Sequence, residues 1–233
     1  MATATNLGFP RIGANRELKK AVEAYWSGKS SGENLLAAAS DIRRSNWQLQ
    51  ADAGIEQIPT GDFSFYDHVL DTAVLFDLIP KRFRELEPDS DLDLYFLMAR
   101  GLAGGQQTQA LEMTKWFDTN YHYLVPEIES DQQFTLTRNT ATDHFLEAAQ
   151  LGYTPRPVIL GPISLLWLSK MASDGSKPSS TSTPSSASRY ATCPCLCFAA
   201  SSAAAGCTAE SWTAAGEPPP RSLDHSRFRP LTQ

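Results

Sequence analysis

The chain has 233 residues, enough for one large domain or for a domain with a tail, and a net charge of −6. That charge is unevenly placed: residues 1–171 hold 15 Lys and Arg against 22 Asp and Glu, whereas residues 172–233 hold 5 against 4. The acidic body argues against nucleic acid as the main partner, which would call for a basic stripe, and no apolar run is long enough to span a bilayer.

Met1 to Thr5 lacks the charged start and apolar core of a secretory signal. Cys193, Cys195, Cys197 and Cys207 all lie in the tail, so the body has no disulfide framework and reads as cytoplasmic. Asn6 to Trp26, NLGFPRIGANRELKKAVEAYW, reads as a short strand, a glycine-bearing loop and an amphipathic helix. Asn15 is the expected N-cap. Leu18, Ala21, Val22, Tyr25 and Trp26 recur at helical spacing on one buried face, and Gly28 ends the helix. Arg11, Arg16, Lys19 and Lys20 gather at the loop and first turns. A helix start carries partial positive charge, so this corner suits an anion; the alternative is a solvated basic face.

Ser30 and Glu33 make a capping box for a second helix, with Leu35, Leu36, Ala39, Ile42 and Leu49 as its apolar stripe and Gly54 at its end. Ile55 to Ile58 is a strand candidate and Pro59 to Asp62 a loop. Phe65 to Phe76 reads as a helix with Val69, Leu70, Ala73 and Val74 facing in and His68 in a structural role. Asp67 and Asp71 fall i and i+4 on it, a spacing that can hold a cation or a proton, although solvated surface carboxylates are the commoner outcome. Pro80 to Asp91 is charged and turn-rich, an exposed connection. Leu92 to Arg100 is a helix or a helix–strand junction, and Gly101 to Gln109 a loop.

Glu112 to Tyr123 mixes aromatic and polar residues, as a cleft lining does; a half-buried strand is the alternative. Trp116 is expected to pack, and His122 to be a hydrogen-bonded core residue. Thr140 to Leu151 reads as a helix with Phe145, Leu146 and Ala149 on its inner side, Arg156 to Leu160 as a strand, and Ile163 to Lys170 as an apolar helix. Strand, loop and helix recur as in a parallel α/β fold. From Ala172 onward Ser, Ala, Pro and Thr dominate without Ile or Val, a composition that predicts disorder. A cysteine-bound metal knot is the alternative, although its one-residue gaps are narrower than usual zinc spacing. A tail outside the native reading frame is a third.

Five words in order resemble the amino-terminal domain of cobalamin-independent methionine synthase: GFPRIG with RELKKA and YW, GDFSFYDHVLDT at Gly61 to Thr72, YFLMARG at Tyr95 to Gly101, EMTKWFDTNYHYLVPE at Glu112 to Glu127, and PVILGPISLLWLSK at Pro157 to Lys170. The resemblance stops near Met171. It implies an α/β fold of the (β/α)8 TIM type. A closed barrel takes about 250 residues, so the expectation is an incomplete barrel over residues 1–171, marginally stable by itself or in need of a partner, followed by the tail at 172–233.

Members of that family transfer a methyl group from 5-methyltetrahydropteroyltriglutamate to homocysteine. The resemblance implies that Arg16, Glu17, Leu18, Lys19, Lys115 and Asn120 bind the folate substrate. Arg16 and Lys19 would pair with carboxylates of its glutamate tail, Lys115 would supply charge and Asn120 hydrogen bonds. Asn15 departs from the basic or bulky residue often found there. Zinc, its His, Cys, Glu and Cys ligands and the homocysteine pocket belong to the family's carboxy-terminal barrel, and residues 1–171 hold no Cys from which that site could be rebuilt. This chain is therefore expected to hold no cofactor, metal or catalytic residue, to meet homocysteine only within full-length members, and to be inactive alone. The alternatives are a non-catalytic module that binds folate polyglutamate or a protein partner, and an unstable truncated product.

Overall fold

A computed structural model describes residues 2–102, 109–137, 139–173 and 175. Most of the expected loop at 101–109, nearly all of the expected disordered tail and all four cysteines lie outside the described residues.

The first two helices, α1 (Glu17–Trp26) and α2 (Gly32–Asp52), pack together through Leu18, Val22, Leu35, Ala39 and Ile42. Ala21, Tyr25 and Trp26 pack against the same cluster, so the apolar face expected of α1 is the one used. Its cap differs from expectation. Arg16 takes the N-cap in a left-handed conformation, φ 61°, with no side-chain cap. Glu17 reaches back to the Asn15 N–H at 2.9 Å and to its side-chain amide at 3.1 Å, so Asn15 donates where it was expected to accept. The expected strand before α1 is absent: Thr5 bridges Gln57, and residues 6–10 then run as a loop whose Phe9 N–H goes to Asp62. The cap of α2 is Ser31, one residue after the expected Ser30, accepting from the Asn34 N–H at 3.3 Å. Leu49 turns outward, because the second half of α2 changes partners and buries Trp47 against Ile58 and Ala148.

Strand β1 (Ile58–Thr60) begins where the expected strand ended, since the Ile55 N–H closes the end of α2 on the Gln50 carbonyl at 3.0 Å. It pairs in parallel with β5 (Pro155–Pro157), Ile58 opposite Pro155 and Thr60 opposite Pro157. Helix α3 (His68–Leu75) starts late because Asp67 caps it; Val69, Leu70 and Ala73 are buried as expected. The stretch expected to be an exposed connection instead contains the short helix α4 (Lys81–Arg84), whose Phe83 is fully buried. Residues 91–100 form the helix α5 (Asp91–Arg100), capped by Ser90.

Strands β2 (Met113–Lys115) and β3 (His122–Leu124) make an antiparallel hairpin. Strand β4 (Glu127–Ile128) runs parallel to β6 (Lys170–Met171), which follows α7 (Pro162–Leu168). Lys170 is thus in a strand and not at a helix end. Helix α6 (Thr140–Gln150) packs on β1 and β5 with Ala148 buried, while Leu146 and Ala149 face outward, contrary to expectation. The partner of α6 is the β1–β5 pair, and position 148 meets it. The described strands form three two-stranded sheets, a mixed α/β arrangement consistent with an incomplete α/β domain. No described helix is long and apolar enough to cross a membrane.

Two half-buried groups oppose each other in their pH dependence. Burial, helped by Arg43, pushes His144 down to about 3. The unfolded chain takes that proton near 6.5, so stability present above that pH is lost as pH falls toward 3. Burial lifts Asp71 to about 7, so its stabilisation is full below the ordinary carboxyl range and is lost as pH rises through 7. Asp62 and Asp143, also raised by burial, act in the sense of Asp71. Relative to the unmodified chain, Asp71→Asn should lose urea stability more steeply on acidification from pH 7 to pH 4, and His144→Phe less steeply.

Candidate functional site

The loop after Thr5 and the loop after β1 lie against each other. Gly8 sits at φ 150°, and a Cβ there would come within 3.1 Å of the Asp62 Cβ. The Phe9 N–H donates to Asp62 Oδ2 at 2.8 Å, and Asn46 donates to the Pro10 carbonyl at 3.2 Å. The Arg11 guanidinium donates to the carbonyls of Ser64, at 3.1 Å, and Tyr66. Arg11 is therefore an anchor of this corner rather than a free cation.

From that anchored loop the start of α1 projects outward. Arg16, Lys19 and Lys20 are exposed, with Lys19 in an exposed ion pair to Glu23 at 3.6 Å. Glu17 folds back on Asn15, and its own backbone N–H, followed by the backbone and side-chain N–H groups of Asn15, holds its carboxyl below the usual range. Leu18 is buried and its N–H goes to the Ile12 carbonyl at 3.2 Å. Of the four residues expected here, Arg16 and Lys19 present charge to solvent, while Glu17 and Leu18 shape the turn that presents it.

The other two expected residues sit on the hairpin. Lys115 is exposed at the end of β2, opposite His122, and Asn120 is exposed in the connecting turn. His122 is exposed too, its Nδ1 donating to the Asn120 carbonyl at 3.0 Å, and is not the core residue expected. The alternation of β3 turns Tyr123 and not His122 inward. Trp116 packs as expected, 4.9 Å from His68 and 6.0 Å from Tyr123 between ring centres.

Asp67 joins these parts. Its side chain is 2% exposed. Oδ2 accepts from the N–H groups of Leu70, at 2.9 Å, and Leu124, at 3.1 Å, and Oδ1 accepts from the Tyr121 hydroxyl at 2.5 Å. One carboxylate thus caps α3 and ties the hairpin to it, next to the carbonyls that hold Arg11. The solvated carboxylates expected at 67 and 71 are not found: Asp67 is buried and Asp71 half-buried. The anchoring roles of Arg11, Asp67 and Tyr121 were missed from sequence. The available signal was an Asp directly before an apolar helical run, the usual mark of an N-cap.

Among the described residues no group of three or more His, Cys, Asp or Glu is placed to hold a metal, and none of them is a cysteine.

Residues 3–190 match the family described as cobalamin-independent synthase, N-terminal domain. The chain is 56% identical over 177 residues to the 5-methyltetrahydropteroyltriglutamate–homocysteine methyltransferase of Xylella fastidiosa (strain 9a5c), covering 76% of this chain and 23% of that protein. It is 53% identical over 172 residues to the enzyme of that name from Flavobacterium johnsoniae, covering 73% of this chain and 22% of that one. The corresponding protein of Streptomyces coelicolor is 53% identical over 171 residues, with the same coverage, 73% and 22%. The chain thus spans less than a quarter of the length of these curated relatives.

Proposed function

Because the chain belongs to the cobalamin-independent synthase family, through that family's N-terminal domain, we propose that it carries part of the folate-binding half of a methyl transfer from 5-methyltetrahydropteroyltriglutamate to homocysteine, in the cytoplasm, and is inactive alone. The observation that supports this reading is the outward display of Arg16 and Lys19 on a turn anchored by Arg11. A triglutamate tail is polyanionic, and guanidinium and ammonium groups pair with its carboxylates through charge-assisted hydrogen bonds. Each such exposed pair contributes only about 0–1 kcal/mol, so binding needs several at once, with Lys115 and Asn120 as further contacts. By the family resemblance, zinc and the homocysteine pocket belong to the carboxy-terminal barrel, and no step through the metal is derived from this chain's residues.

Titration of the full chain with 5-methyltetrahydropteroyltriglutamate tests the reading. Arg16→Ala and Lys19→Ala should each weaken binding about threefold, and together about tenfold. Absence of binding, or a double variant that binds like the unmodified chain, contradicts it. The outward display of Arg16 and Lys19 also suits a second reading, a non-catalytic module that holds folate polyglutamate or pairs with a full-length synthase. Methionine formation by the purified chain would exclude that module and the proposed inactivity alike.

A further inference from the structure

Tyr121 has one hydroxyl proton and two partners. Its Oη lies 2.5 Å from Asp67 Oδ1 and 2.9 Å from His68 Nδ1. Asp67 already accepts from two backbone N–H groups, and a carboxylate can only accept. The phenol proton therefore goes to Asp67. The phenol oxygen must then accept from His68, which places the imidazole proton on Nδ1 and leaves Nε2 as an acceptor.

The ring is fixed in place as well as in tautomer. Tyr121 stacks on it at 5.3 Å and 27°, and Trp116 flanks it at 4.9 Å. Burial and the Arg11 charge hold the imidazole below its ordinary value against the pull of Asp67, which favours its neutral form. Yet the side chain is 39% exposed, and Nε2 makes no hydrogen bond among the described residues.

We infer that His68 is a ligand-binding residue whose Nε2 accepts a hydrogen bond from an amide N–H of a bound glutamyl chain, held in that tautomer by Tyr121 and Asp67. The inference rests on the folate-binding reading above. A glutamyl chain alternates carboxylates with amide N–H donors. Arg16, Lys19 and Lys115 serve the carboxylates but carry no acceptor. His68 supplies a fixed acceptor beside the hairpin that bears Lys115 and Asn120.

Imidazole nitrogen NMR on the full chain should show His68 protonated on Nδ1, and Tyr121→Phe should abolish that preference. Titration with 5-methyltetrahydropteroyltriglutamate should then separate two variants. His68→Gln, which places an oxygen near the Nε2 position, should bind within about twofold of the unmodified chain, and His68→Asn about fivefold more weakly. A proton on Nε2 in the unmodified chain, equal binding by His68→Asn, or equal weakening by both variants overturns the inference. If Lys19→Ala weakens binding while His68→Asn does not, the role of His68 fails and the folate reading stands. No binding by the unmodified chain overturns both.

Discussion

Replacing Phe83 with alanine is expected to destabilise the chain by about 4 kcal/mol. Phe83 is fully buried in the main apolar cluster with Leu18, Leu70 and Phe96. The Arg82 guanidinium lies over its ring, 4.4 Å from the centre, and also pairs with Glu127 in β4. Truncation therefore opens a cavity and removes a wall of the site where Arg82 meets the β4–β6 pair. Urea denaturation followed by circular dichroism measures the loss, and a change below about 1 kcal/mol would mean that the α4 segment is not packed as described. A loss as large as expected could leave little folded chain, since domains hold only about 5–15 kcal/mol in total. Phe83→Leu, which keeps most of the buried volume, should cost roughly a third as much.

Asp67→Ala should cost about 3 kcal/mol. Loss of the α3 cap accounts for about 1 kcal/mol. The buried Leu124 N–H and the Tyr121 hydroxyl lose their acceptor, and a buried donor left unsatisfied costs about 1–3 kcal/mol. Asp67→Asn retains an acceptor for the two amides and should recover about half the loss. Amide hydrogen exchange at Leu70 and Leu124 reports the two ties separately. Both should exchange faster in Asp67→Ala. Unchanged protection at Leu124 would mean that the hairpin is held by Trp116 and Tyr123 packing alone.

These two residues also mark what the sequence conceals. The buried faces of α1 and α3 were legible because Leu18 and Val22, and Val69, Leu70 and Ala73, recur at helical spacing, although α3 divides its face between two apolar clusters. Phe83 stands alone between Arg82 and Arg84, and an isolated apolar residue has no period to read. Leu49 and the inner face of α6 were misread for a related reason: periodicity gives an apolar stripe, but the neighbouring element decides which side is covered. At Asn15 two local rules compete, and Glu17 claims the amide before it can cap. In the candidate site, the exposed positions Arg16, Lys19, Lys115 and Asn120 came from resemblance of words. The joint at Asp67 depends on contacts 54 and 57 residues apart, which no local pattern carries.

The central claim is that this chain holds a polyanionic glutamyl tail on an exposed cationic turn. Calorimetric titration of the full chain with the triglutamate and the monoglutamate forms of 5-methyltetrahydropteroate, at low and high salt, tests it most directly. The account predicts that the triglutamate binds about tenfold more tightly at low salt, through two or three extra exposed ion pairs, and that the advantage shrinks as salt screens them. Equal affinity for the two forms, unaffected by salt, would contradict it.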